Sequence, residues 1–203
     1  MSQALTASTQ PQETLSWHRA CLAALLRPSI STYQMLGQQQ RCNVWRAYAL
    51  VFGAGVIGAA VDSLMPFESQ LFQQSYVDTL LLALIPVSAI IAVCYLAAFA
   101  WCTQKVARLL KGSGTYRQLA SVFAAFSAPL LIAASILNMI PLTRILAVLL
   151  YFYWLALYVV AARAVNGFSR VKAVAAVLAG LLILGCAWLG IIFAIGYSGI
   201  LLP

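Results

Sequence analysis

The chain has 203 residues, of which 64% are hydrophobic and 8% charged. A water-soluble domain carries about 25% charged residues, so this composition excludes an ordinary soluble protein and predicts an integral membrane protein. The net charge of +8 comes from cations spread over three segments where membrane topology requires them, and no nucleic-acid partner is predicted.

The N-terminal part is predicted to precede the first membrane span. Residues 1–14 are small and polar and are expected to form a disordered tail. Residues 15–44 are predicted to form an amphipathic interfacial segment, because the apolar run LSWHRACLAALL from 15 to 26 is too short to cross a bilayer. Arg19 and Arg27 in this segment are predicted to reach lipid phosphates.

Five apolar stretches follow, and each is long enough to cross the roughly 30 Å hydrocarbon core as an α-helix. They cover approximately residues 47–66, 79–101, 119–138, 145–164 and 173–195. A β-barrel would need alternating polar and apolar residues, which these stretches lack. We therefore predict an all-α integral membrane fold, a five-transmembrane-helix bundle formed by residues 45–203.

Charge alternates between the segments that connect the stretches. Eleven of the twelve Lys and Arg residues precede the first stretch or follow the second and fourth, and three of the four carboxylates follow the first. Basic residues are retained in the cytoplasm during insertion, so the N-terminus is predicted inside and the C-terminus outside. Anionic lipid headgroups are the expected partners of the basic side. The predicted headgroup anchors are Arg19, Arg27, Lys105, Arg108, Lys111, Arg170 and Lys172.

The first stretch is rich in small residues. Ala54 and Gly58 form one pair spaced by four, and Gly55 and Ala59 form another. Small faces let helices approach closely in lipid, so these four residues are candidates for a helix contact. Two interpretations stay open, namely packing within the bundle and contact with another subunit of a homo-oligomer.

The fourth stretch is aromatic. Tyr151, Trp154 and Tyr158 recur at spacings of three and four and therefore share one helix face. This face either lines a ligand groove or packs on a neighbouring helix with its polar tips bonded across the bundle.

The sequence predicts no catalytic, metal or cofactor site. The single histidine, His18, lies outside every stretch, which excludes a haem held by two histidines within the bundle and an intramembrane triad that uses histidine. The middle of each stretch lacks the ionisable residues that proton-coupled transporters usually carry. The five cysteines form no C-x-x-C pair.

Several runs carry a resemblance to a known family. They are KGSGTYRQLASVFAAFSAPLL from Lys111, NMIPL from Asn138, YFYWLALYVVAARAVNGFSRVKA from Tyr151 and LLRPSISTY from Leu25. Together these runs resemble the Yip family, the Ypt/Rab-interacting membrane proteins, in its bacterial form, over roughly residues 22–195. The resemblance implies five spans and a multi-pass protein of a bacterial inner membrane. Eukaryotic members bind Rab-type GTPases, but their acidic, tyrosine-bearing cytosolic motifs are missing here.

These observations predict a non-enzymatic membrane protein that acts as a scaffold, accessory subunit or membrane-organising factor. Its partners are expected to be lipids and other membrane protein subunits or further copies of the chain. The alternative is a carrier of small molecules or lipids that uses the aromatic face of the fourth stretch.

Overall fold

A computed structural model describes residues 22, 24–26, 28–38, 44–63, 74–139 and 143–201, and all regular structure within these ranges is helical. A helical turn at residues 24–26 precedes six helices. These are α1 (Ile30–Gln38), α2 (Val44–Ser63), α3 (Gln74–Leu109), α4 (Tyr116–Met139), α5 (Arg144–Asn166) and α6 (Arg170–Leu201). The predicted disordered tail and the predicted anchors Arg19 and Arg27 lie outside the described residues.

Within the described residues, five helices are long and apolar enough to cross a membrane, and they are α2 to α6. Their mean hydropathy ranges from 1.6 to 2.5. The predicted all-α bundle of five spans is confirmed. α3 continues to Leu109, well beyond the predicted end of the second stretch, because Lys and Arg are good helix formers and the basic end of the helix can leave the hydrocarbon.

α4 is the central helix of the bundle. Of its most apolar 18-residue window, 67% is buried, against 22–28% for the other four spans. α3, α4, α5 and α6 form a closed ring in which neighbouring helices pack and α6 returns to α3, while α2 packs on α3 and α4 from outside. α1 lies across the junction of α4 and α5.

Two tight connections close one end of the ring. α3 ends where the Gly112 N–H donates to the Ala107 carbonyl at 2.9 Å, and Lys111 between them has a left-handed φ of 64°. Thr115 and Gln118 then form a reciprocal cap at the start of α4, with the Thr115 N–H donating to Gln118 Oε1 at 3.0 Å. α5 ends at Gly167, whose φ of 67° suits a residue without a Cβ. These connections belong to the predicted cytoplasmic side.

The N-inside, C-outside orientation is a prediction that a reporter fusion can test. A reporter that works only in the periplasm is expected to be active when fused after Pro203, because each Arg or Lys moved to the helix centre costs about 2.5–3.5 kcal/mol and eleven of them favour one side. The same reporter fused within residues 111–115 is the control and should be inactive. Activity of a cytoplasm-only reporter at the C-terminus would contradict the predicted topology.

Candidate functional site

Four aromatic rings fill the centre of the helix ring. Tyr158 of α5 lies edge-on to Phe99 of α3 and to Phe123 and Phe126 of α4, with centroid separations of 4.7, 4.6 and 5.1 Å. Edge-to-face pairs at these distances are the favoured geometry of aromatic rings. Through these ring contacts α3, α4 and α5 pack on one another in the half of the bundle that carries the basic connections.

The three aromatic residues predicted to share a face of α5 do so. Trp154 stacks on Tyr151 at 6.3 Å and on Tyr158 at 6.2 Å, with interplanar angles of 8° and 16°. The indole N–H of Trp154 donates to Ser127 Oγ at 3.1 Å, and this oxygen lies 3.0 Å from the Tyr158 hydroxyl. The buried Ser127 of α4 thus satisfies both polar tips, which matters in a bilayer because an unpaired polar group there is costly.

An apolar groove of about 610 Å³ runs beside this stack between α3, α5 and α6. Tyr151 is 49% exposed in it, whereas Tyr158 is 8% exposed. The groove is lined by Tyr95, Val148, Tyr151, Phe152, Trp154, Leu155, Tyr158 and Leu181. The aromatic face therefore runs from the core at Tyr158 to the exposed groove wall at Tyr151, and ligand binding at this face stays a prediction.

Tyr95 lines the groove and was not identified from the sequence. It lies on α3, and no spacing rule connects it with an aromatic stripe on α5. Only the packing of the ring brings the two helices to opposite sides of one groove.

The small-residue face of α2 lies against other helices of the same chain. A Cβ added to Gly55 would lie 2.9 Å from Ala89 Cα of α3, and one added to Gly58 would lie 2.9 Å from Ser135 Oγ of α4. Ala54 is buried, and Ala59 is partly buried. The close approach at Gly55 joins backbone to backbone and leaves no room for a side chain.

The described anchor candidates are all exposed at the same end of the bundle. They are Lys105, Arg108, Lys111, Arg170 and Lys172. The ammonium of Lys105 lies 5.2 Å from the ring centre of Trp101, a pairing of cation and aromatic face typical of a membrane interface. Contact of these cations with headgroups stays a prediction.

A buried polar cluster at this end was missed by the sequence reading. Gln104 Nε2 donates to the Gly114 carbonyl at 2.6 Å, and Asn166 Nδ2 donates to the Ala162 carbonyl at 3.1 Å. Thr103 faces Gly180 of α6, where an added Cβ would lie 2.5 Å from its hydroxyl oxygen. Gln104 thus bonds the end of α3 to the connection that precedes α4. Asn166 of α5 lies beside this connection, because a Cβ added to Gly112 or Gly114 would lie 2.8 or 2.7 Å from its Oδ1. Among the described residues, no group of three or more His, Cys, Asp or Glu is placed to hold a metal ion.

An apolar helical ring with basic residues at one end defines a polytopic α-helical membrane protein. A family model described as the Yip1 domain matches residues 22–192. The chain therefore belongs to the Yip1 domain family, a family of membrane proteins. The predicted membership of the Yip family is confirmed, and its bacterial form stays a prediction. No curated protein matches the chain, and no solved structure does.

Proposed function

We propose that this chain is a non-enzymatic scaffold or accessory subunit of a bacterial inner membrane, and that it works by lateral contact with another membrane protein. Membership of the Yip1 domain family supports the membrane role. The observation that carries the proposal is the exposed stretch of α6 from residue 185 to 193.

Residues 185–193 of α6 are all exposed. At 3.6 residues per turn these nine residues pass more than twice around the helix, so no side of this part packs on the described chain. Trp188, Ile192 and Phe193 are 42%, 61% and 75% exposed. Residues 185–193 thus extend beyond the aromatic cluster as an apolar stretch of helix that packs on none of the described residues.

A free apolar helix in lipid associates through close packing, since lipid tails are as apolar as its side chains. Gly185 and Gly190 offer small surfaces on this helix, because a Cβ added at either would meet no atom within 4 Å. A partner helix can approach the backbone there. We infer that the partner is a transmembrane helix of another protein or of a second copy.

Photocrosslinking in native membranes tests this proposal. A photoreactive residue placed at Trp188 or Ile192 is expected to give a discrete adduct of defined mass, because a bound helix would lie against these positions. The control is the same residue at Ile57, which is 50% exposed on α2, a helix that packs on α3 and α4. An adduct of twice the chain mass would identify a second copy as partner. Lipid adducts alone at all three positions would refute the proposal.

A carrier of lipids or apolar solutes is the second candidate, and the groove favours it. Its volume of about 610 Å³ lies within the range of roughly 300–1,000 Å³ typical of ligand sites. Because Ser127 bonds the polar tips of Trp154 and Tyr158, the wall presents ring faces and aliphatic side chains. This surface suits an acyl chain or another apolar group, and the Trp154→Ala variant described below distinguishes the two candidates.

A further inference from the structure

The depth of α5 in the bilayer can be read from its charges. The charged residues in the sequence of α5 are Arg144 and Arg163, and Tyr153 stands nine residues after the first and ten before the second. At 1.5 Å per residue, Tyr153 is about 14–15 Å along the axis from each, which is half of a hydrocarbon core of roughly 30 Å. These distances predict that Tyr153 lies near the middle of the membrane.

The segment before α2 is bonded to this mid-membrane position. The Tyr153 hydroxyl donates to the carbonyl of Leu25 at 2.5 Å. Gly37 follows Leu25 by twelve residues, and Val165 follows Tyr153 by twelve. These two residues are also close, because a Cβ added to Gly37 would lie 3.8 Å from the Val165 side chain. The described residues between Leu25 and Gly37 thus run alongside α5 for about 18 Å, from mid-membrane to the end that carries the basic connections.

Burial supports the same placement. Ala24, Tyr33 and Leu36 are 0%, 0% and 5% exposed and belong to the main hydrophobic core. The Tyr33 ring meets Phe126 edge-on, with centroids 6.0 Å apart. On the outer side of the segment, large apolar side chains are exposed, as they would be toward lipid. They are Leu22, Leu26 and Met35, at 56%, 74% and 50%.

The break at Pro28 explains why two tyrosine hydroxyls bond to backbone carbonyls of this segment. Proline has no N–H, so the carbonyl four residues earlier, that of Ala24, loses its helical donor. The Tyr33 hydroxyl donates to this carbonyl at 2.8 Å. The Tyr153 hydroxyl donates to the next carbonyl, that of Leu25. The chain then restarts with Ser29 as cap, whose Oγ accepts the Thr32 N–H at 3.1 Å. Irregular backbone at membrane depth persists only where protein groups satisfy it, and here two hydroxyls do so.

We propose that the described residues 22, 24–26 and 28–38 form a broken helix embedded in the cytoplasmic half of the membrane and held at mid-bilayer by hydrogen bonds from Tyr33 and Tyr153. With the N-terminus inside, the segment is re-entrant. This placement replaces, for these residues, the position along the cytoplasmic surface that composition predicts. It covers the junction of α4 and α5 and shields Phe126 of the aromatic cluster from lipid.

Nitroxide depth measurement tests the embedding. Single cysteines at Leu26, Phe152 and Leu109 are introduced into a chain whose native cysteines are replaced by alanine, and the labelled protein is reconstituted in vesicles. Phe152, 65% exposed beside Tyr153, is the reference for the bilayer centre, and Leu109, 83% exposed at the end of α3, is the reference for the headgroup region. The label at 26 is expected to show the oxygen accessibility of the label at 152. A value equal to that at 109 would overturn the proposal, as would an N-terminal tag found outside.

If the cysteine-free chain does not fold, photoreactive residues at the same three positions in the native chain give the same comparison through their lipid adducts. Adducts at acyl carbons from positions 26 and 152, with headgroup-proximal adducts from 109, support the embedding. Headgroup-proximal adducts from position 26 count against it.

The hydrogen bond from Tyr153 to the segment is tested separately with Tyr153→Phe, which removes only the hydroxyl. Losing the donor to a carbonyl at the proposed mid-membrane depth is expected to raise labelling at position 26 by a water-soluble maleimide about tenfold or more. Tyr151→Phe is the matched control, because the Tyr151 hydroxyl has no hydrogen bond to the described residues. Equal labelling in the two variants would show that Tyr153 does not hold the segment.

Discussion

Replacing Trp154 with alanine is expected to lower the free energy of unfolding in detergent by about 3 kcal/mol, the lower end of the roughly 3–5 kcal/mol typical of large core aromatics. The variant loses two ring contacts and leaves Ser127 Oγ without the indole donor. The lower end applies because one face of the ring lines the groove and is not fully packed. Thermal or denaturant unfolding of the purified protein measures the change.

Ile145→Ala is the control for this variant. Ile145 is 75% exposed on the same helix and does not line the groove, so its truncation should change stability by no more than about 0.5 kcal/mol. Mass spectrometry of co-purified lipids and solutes is done on both variants and the parent. A Trp154→Ala protein as stable as the parent that has lost a bound small molecule would reverse the ranking and favour the carrier. A destabilised variant with unchanged co-purified lipid would favour the scaffold.

Substituting Gly55 with leucine is expected to be the most disruptive change in the small-residue face of α2. Overpacking typically costs about 1–3 kcal/mol, and the upper end is expected here because an added Cβ would lie 2.9 Å from a backbone atom, Ala89 Cα. Backbone atoms cannot rotate away, so α2 and α3 would have to separate. A lower melting temperature in detergent is the measured result.

The same helix provides graded controls. At Gly58 the nearest atom to an added Cβ is Ser135 Oγ, which can rotate, so Gly58→Leu should destabilise less. At Gly53 an added Cβ would meet nothing within 4 Å, so Gly53→Leu should melt like the parent. If Gly55→Leu also melts like the parent, α2 and α3 are not in close contact in the membrane.

The sequence was most informative where a property depends on one segment at a time. Each span could be predicted because a helix in lipid satisfies its own backbone bonds, so about 20 apolar residues suffice without knowledge of neighbours. The common face of Tyr151, Trp154 and Tyr158 followed in the same way from helix periodicity. Family runs such as NMIPL added the identity of the fold, which the Yip1 domain match confirms.

The residues of other helices that pack against these faces could not be predicted from the sequence. Periodicity identifies the residues that share a side of α5, but it does not show that Ser127 lies opposite Trp154 or that Tyr95 faces them across a groove. The small face of α2 is likewise visible as a pattern, whereas its neighbours Ala89 and Ser135 are not. Inter-helix contacts in lipid depend on shape complementarity between whole helices, which no single segment encodes.

The N-terminal segment shows this division most clearly. Composition predicted an apolar run too short to span. The structure shows a break at Pro28, where the carbonyls of Ala24 and Leu25 accept hydrogen bonds from side-chain hydroxyls. An interfacial helix would satisfy those carbonyls with water, and an embedded one needs protein donors, so local sequence does not distinguish the two depths. The donors are Tyr33, nine residues after Ala24, and Tyr153, 128 residues after Leu25. Only the tertiary structure brings Tyr153 to the break, because that contact requires α5 to pack beside the segment.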